Sequence, residues 1–297
     1  MAPWTAVASP NVSSASAVPL SQLQSFVLRT IAGNRSPDSY IAGAAALNRD
    51  GPRFSGDIDI FQDGDERLVA IADADAALLA GSGLKLTWTT LRGPGFRRAL
   101  VEGLGDKTVI EWAADSDFRF FPTVADEMFG YVLHPVDLAT NKASAAADRR
   151  EPRDIVDLVA IHQRILPLGA VVWAAIGRFP GPTPEEMLAQ IVRHSRFTAE
   201  EFRVLATEQP IDVADMHRRI RTMLEDAERF ISHMPSDAVG VIFLEDGRPV
   251  QPEPDALERY HRHAGTRRGH WPSSSEIGHA MLERYGKDRP DSGGVGD

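Results

Sequence analysis

Between Arg53 and Phe61 the chain reads Arg53-Phe54-Ser55-Gly56-Asp57-Ile58-Asp59-Ile60-Phe61, and this alternation of acid and apolar residue leaves little freedom in how it can fold. Side chains on an extended strand alternate between its faces. Asp57 and Asp59 therefore share one face, while Ile58 and Ile60 enter a core on the other. The carboxylates then stand about 6–7 Å apart, two steps of roughly 3.3 Å along the strand. Upstream, Ile41-Ala42-Gly43-Ala44-Ala45 supplies a turn of small residues whose backbone N–H groups can approach a ligand closely.

Paired carboxylates at this spacing suit Mg²⁺, which bridges protein carboxylates and nucleotide phosphates. The small-residue turn suits a triphosphate. Together they predict a nucleotidyl-transfer site. Spacing alone does not carry that reading, because Asp-x-Asp recurs at Asp63/Asp65, Asp73/Asp75 and Asp115/Asp117. Those three lie in acidic or alanine-rich surroundings and read as solvated turns or helix ends. Only the first combines an apolar strand with a glycine turn before it.

Strand and helix periodicities then interleave without strict βαβ repetition, which predicts an α+β fold built on a mixed sheet. Helix patterns cover Leu20 to Ala32 and Ala70 to Leu79, and Tyr40 to Leu47 leads through Gly43 into another. Strand patterns cover Phe54 to Phe61, Leu84 to Leu91, Phe96 to Leu100 and Thr108 to Ala113. Asp137 reads as the N-cap of a helix reaching Arg149, with Pro135 just outside it, and Pro152 opens a helix that Pro167 stops. Thr183-Pro184-Glu185-Glu186 and Thr198-Ala199-Glu200-Glu201 are capping boxes. Val213 to His233 forms a longer amphipathic helix, and Asp246-Gly247 is the turn of a hairpin.

These elements divide the chain into a flexible lead-in over 1–18, a nucleotidyltransferase core over 19–166, a mainly helical region with a short hairpin over 167–252, and a polar, flexible tail over 253–297. At 297 residues, 43% hydrophobic and 25% charged, the composition is that of an ordinary globular protein. The chain has no cysteine, which excludes disulfides and thiolate zinc sites and fits a reducing cytoplasm. No apolar run approaches the roughly 20 residues of a membrane span, and Met1 to Pro19 lacks the basic start and apolar stretch of a signal peptide. A cytoplasmic protein without a membrane partner is the expectation. The net charge of −10 argues against general attraction to nucleic acid. Two local basic clusters stand against that: Lys85, Arg92, Arg97, Arg98 and Lys107, then Arg149, Arg150 and Arg153.

Further residues can be placed around the two carboxylates. Glu111 is an acid within the apolar strand Val109-Ile110-Glu111-Trp112. As a third metal ligand on a neighbouring strand it would help deprotonate an attacking hydroxyl; a solvent-facing edge glutamate reads equally well. Lys142 sits among small residues with Arg149 two turns further along the same face, where both could neutralise phosphate charge. A solvated lysine is the ordinary alternative. Asp154 and Asp157, one turn apart on the next helix, could pair with Lys142, with Arg149 or with a nucleotide's base and ribose, although a first-turn acid also satisfies the helix dipole. His261, His263 and His270 fit no metal-ligand spacing and read as a solvated tail. Trp173, Phe179 and Phe230 read as core.

In order and spacing, four segments resemble the AbiEii-type nucleotidyltransferases. They are Ile41 to Leu47, Arg53 to Phe61, His134-Pro135-Val136-Asp137 on to Lys142, and Arg149 with Pro152-Arg153-Asp154-Ile155-Val156-Asp157-Leu158. These are toxin components of abortive-infection and related toxin–antitoxin systems, on the DNA polymerase β-like fold. The resemblance spans roughly residues 38–165. It implies Mg²⁺-dependent transfer of a nucleotide from a nucleoside triphosphate, in some members to the acceptor end of tRNA, and a cognate antitoxin as partner. By position it makes Asp57 and Asp59 metal ligands, sets Lys142 on the triphosphate, and completes the catalytic set with Asp157 or Asp154. Gly43 and Ala44 become the phosphate turn, with Ser55 a further nucleotide-binding residue. The second turn residue is commonly Gly, Ser or Thr, so Ala44 keeps its N–H but offers no hydroxyl.

The sequence thus reads as a nucleotidyltransferase acting on an RNA hydroxyl. Two rivals use the same site: a nucleotide-binding sensor or complex subunit without transfer, and an enzyme that modifies a protein side chain.

Overall fold

The computed structural model describes residues 20–272 apart from positions 50 and 52. The lead-in read over 1–18 and the part of the tail beyond 272 lie outside the described residues. Ser21 opens α1 (Gln22–Ile31) with a reciprocal cap: its hydroxyl accepts from the Gln24 N–H, and the Gln24 side chain accepts from the Ser21 N–H. Ser21→Ala should cost about 1 kcal/mol, seen as a lower urea midpoint.

β1 (Ser39–Ala42) turns at Gly43 straight into α2 (Gly43–Leu47), and β2 (Asp57–Asp63) returns antiparallel beside β1. α3 (Leu68–Gly81) leads to the meander β3 (Lys85–Arg92), β4 (Phe96–Gly103) and β5 (Asp106–Asp115). Three short strands follow, β6 (Phe118–Arg119), β7 (Val124–Asp126) and β8 (Gly130–Val132), too brief to show a period in the sequence. The seven-stranded sheet runs β3-β4-β5-β2-β1-β8-β7. β2 is parallel to β5 and β1 to β8, and the other neighbours are antiparallel, which makes the sheet mixed as the α+β reading expects.

α1 and α3 close one face of this sheet. Leu23, Val27 and Leu28 of α1 share a core with Ile58, Ile60, Ile110 and Trp112 of β2 and β5. Each such side chain contributes about 1.5–3 kcal/mol when fully buried. The same alternation that buries the isoleucines turns Asp57 and Asp59 to the opposite face.

The helical half comprises α4 (Pro135–Asp148), α5 (Pro152–Arg164), α6 (Leu168–Arg178), α7 (Pro184–His194), α8 (Ala199–Arg203) and α9 (Val213–His233). Thr183 and Thr198 form the two capping boxes. α4 and α5 share their apolar core with α6, α7 and α9, through residues such as Ala143, Ile155, Leu158, Trp173 and Phe230. Among the described residues no single helix is long and apolar enough to cross a membrane.

Several expectations need correcting. Asp137 is not the N-cap of α4: His134 takes that place, with Pro135 inside the first turn. The fully buried Asp137 carboxylate instead accepts the backbone N–H groups of Phe120 and Phe121, at 2.8 and 3.0 Å. The secondary Asp-x-Asp pairs are only partly solvated. Asp75 is fully buried against Arg35 at 2.6 Å and the Trp112 indole N–H at 2.8 Å. Asp63 pairs with buried Arg119 at 2.7 Å, and Asp115 with Arg178 at 2.5 Å.

The chain after residue 252 is packed as far as it is described. β9 (Val241–Glu245) and β10 (Arg248–Val250) form the expected hairpin, β11 (His261–Ala264) adds to β9, and β12 (Thr266–Arg267) pairs with β6. His263 is buried, stacks on Phe121 with ring centroids 4.6 Å apart, and places Nε2 2.8 Å from the Phe120 carbonyl oxygen. Its polar neighbours face outward, which is why the segment reads as tail.

Candidate active site

Strand register assembles the acidic centre. Asp59 lies between Ala42 of β1 and Glu111 of β5, and Asp57 stands opposite Val109. Gly43 immediately follows Ala42 with φ +61°, and a Cβ built there would lie 1.7 Å from Asp59 Oδ2. Glycine is therefore required twice, by the left-handed backbone and by the carboxylate pressed against it. Gly43→Ala should displace Asp59, and a shift of about 1 Å at a reacting centre costs roughly 100-fold in rate. Steady-state transfer rates beside a melting curve would measure it.

Ala44 is the second residue of α2, whose first turn has no side-chain cap, so its backbone donors are not taken by a capping group. Ser55 is buried and donates its hydroxyl to the Asp57 carbonyl oxygen at 2.7 Å. It braces the start of the acidic strand, while Gln24 donates to the Ser55 carbonyl at 2.9 Å.

Burial pushes the Asp59 carboxyl up to about 7, reinforced by the charges of Asp57 and Glu111 and opposed by Lys142 and Arg153. Burial is the largest of these causes, so without a cation beside it Asp59 favours its neutral form. Glu111 lies on an interior strand and not at an edge, and pairs with Arg98 across to β4 at 3.1 Å.

Lys142 projects from α4 into a dense ionic network. Its ammonium lies 2.9 Å from Asp154 and 3.0 Å from Asp157 of α5. Burial works against its charge, yet the two carboxylates outweigh that and raise its pKa. Arg149 holds the other Asp154 oxygen at 2.8 Å. Asp157 is fully buried and also accepts from Arg53 at 2.8 and 3.1 Å and from Asn48 at 3.0 Å. Burial favours its neutral form, but Lys142, Arg53 and Asn48 keep it below the usual carboxylate range. Asp157 thus aims Lys142, and ties α2, the loop before β2, α4 and α5 to one point.

Asn48 and Arg53 were not among the residues singled out for the site. Arg53 stood in the motif without a role, and its partner lies 104 positions away.

The hard carboxylate oxygens of Asp57 and Asp59, on one face of β2, fit Mg²⁺, which takes one or two protein carboxylates, keeps several waters and completes its shell with phosphates. Among the described residues no group of three or more His, Asp or Glu side chains is placed to hold a metal ion, so Glu111 does not join Asp57 and Asp59 as the third ligand that the sequence suggested. Asp57 and Asp59 form the open pair, with Glu111 beside them.

A mixed sheet bearing this acidic pair, a glycine turn against it and a lysine held by buried carboxylates defines a nucleotidyltransferase. The nucleotidyl transferase AbiEii toxin model, of type IV toxin–antitoxin systems, matches residues 36–239, more than half of the chain, and the chain belongs to that family. The solved structure of MenT4, a nucleotidyltransferase toxin from Mycobacterium tuberculosis H37Rv, is similar with a TM-score of 0.51 and 17% identity, over 72% of this chain and 83% of that one. At that identity the likeness speaks for the fold. A cytoplasmic RNA terminal U-transferase, at 13% identity and a TM-score of 0.27 over 80% of this chain and 70% of its own, is too distant to carry an argument. No curated protein matches the chain.

Proposed function

We propose that this toxin-family enzyme moves a nucleoside monophosphate from a nucleoside triphosphate to a hydroxyl of RNA, with Mg²⁺ as cofactor and a cognate antitoxin to restrain it. The observation that carries the reading is Asp59, wedged between Gly43 and Glu111 with Asp57 on the same face. Asp57 and Asp59 would hold the cation, with Glu111 beside them on β5. Bound there, Mg²⁺ supplies Lewis-acid charge that neutralises the phosphate oxygens. The backbone of Gly43 and Ala44 faces the triphosphate. Lys142, steadied by Asp154 and Asp157, offsets charge that grows as pyrophosphate leaves.

The acceptor oxygen attacks the α-phosphorus in line and forms the new P–O bond. The bond to the β-phosphate bridging oxygen breaks, pyrophosphate departs with that electron pair, and Glu111 takes the hydroxyl proton. Pyrophosphate release from each triphosphate, with and without total RNA and with Mg²⁺ or a chelator, tests the reaction. Release that requires both RNA and Mg²⁺ is expected. Release that ignores RNA would overturn the acceptor assignment.

A further inference from the structure

We propose that Arg153 is a further substrate-contacting residue of this site, and that it grips the pyrophosphate end of the nucleoside triphosphate. The inference rests on the nucleotidyl-transfer reading above. Arg153 is the second residue of α5, after Pro152. Residues four apart on a helix share a face. Arg153 therefore stands one turn before Asp157, on the face from which Asp157 meets Lys142, Arg53 and Asn48.

The cations around the acidic pair differ in what holds them. Lys142 lies 2.9 Å from Asp154 and 3.0 Å from Asp157, and Arg53 lies 2.8 Å from Asp157. Arg149 lies 2.8 Å from Asp154, and Arg98 3.1 Å from Glu111. Arg153 is held least. Among the described residues its ion-pair partner is Glu151 at 3.8 Å, beyond hydrogen-bond length. Those two side chains are 38% and 45% exposed, so water screens the pair and it contributes little. The Nε of Arg153 is shielded from solvent and donates to no acceptor. Its charge nevertheless reaches the acidic pair, where it favours the ionised form of Asp59.

Such a cation is available to a ligand. A triphosphate with its α-phosphorus over Asp57 and Asp59 extends two further phosphates beyond them. A guanidinium can present paired N–H groups to phosphate oxygens, in short charge-assisted contacts. Lys142 acts from where Asp154 and Asp157 hold it, as a fixed charge. Arg153 can move onto the phosphates and gives up only a screened pair. When the bond from the α-phosphorus to the bridging oxygen breaks, its electron pair leaves with pyrophosphate. Arg153 offsets that charge and keeps its own proton.

The test is calorimetric titration of the full chain, in Mg²⁺, with a nucleoside triphosphate, with inorganic pyrophosphate and with the matching nucleoside monophosphate. Arg153→Ala should weaken triphosphate and pyrophosphate binding at least about tenfold and leave monophosphate binding unchanged. Arg153→Lys should recover part of the loss, since it keeps the charge without the paired donors. In transfer assays Arg153→Ala should raise KM for the triphosphate and lower kcat. Melting temperature should not change, because no buried partner is left behind. Arg150→Ala removes an equal charge, one paired with Glu201 at 2.6 Å, and should leave all three affinities unchanged.

Triphosphate and pyrophosphate binding undiminished in Arg153→Ala would overturn the proposal. So would equal losses for all three ligands, or the same losses in Arg150→Ala, and each of these results leaves nucleotidyl transfer standing. Failure of the unaltered chain to bind triphosphate would overturn both readings.

Discussion

Asp59→Asn is expected to abolish transfer while making the metal-free protein more stable. Charge stabilisation by a bound divalent ion is worth several kcal/mol, so on the proposed metal reading the loss of the Asp59 carboxylate should slow transfer at least ~1,000-fold. The stability effect follows from protonation. Folded Asp59 holds its proton up to about pH 7, whereas an unfolded aspartate releases it near pH 3.9. Between those values the folded chain binds the extra proton. The stabilisation is complete below about pH 4 and is lost as the pH rises to 7. An amide does not titrate, so the variant's Tm advantage should be absent near pH 4 and largest above pH 7. Melting curves in chelator across that range measure it, and a constant difference would contradict the assigned burial.

Asp157→Ala is expected to damage the fold itself. The substitution leaves Lys142 and Arg53 buried with a partner missing. Removing one member of a buried ion pair costs about 3–5 kcal/mol. At about 2–4 °C per kcal/mol for a chain of this size, Tm should fall by roughly 6–20 °C. Asp154→Ala should cost less, because Arg149 is half-exposed and regains water. Equal losses in the two variants would contradict the central place given to Asp157.

The centre of the site was legible because its signals are local. Alternation at Ile58 and Ile60 set the face of Asp57 and Asp59, and Gly43 marked a turn that nothing larger could make. Residues whose partners are distant in the chain escaped. Asp75 looked solvated among alanines, but its partner Arg35 lies 40 positions back. Asp137 had every local mark of an N-cap, yet it serves a loop 16 and 17 residues upstream. His263 was taken for tail because a four-residue strand, two of its side chains exposed histidine and arginine, shows no core period. Arg98 and Glu111 met only through strand register, which neither segment reveals alone.

The most direct measurement is transfer of label from each α-labelled nucleoside triphosphate to total RNA by the unaltered chain, with Mg²⁺ present. Label joined covalently to RNA, and absent when chelator replaces Mg²⁺, is the expected result. Triphosphate binding with no label in RNA or protein would contradict it, and would make the chain a nucleotide sensor built on a transferase fold.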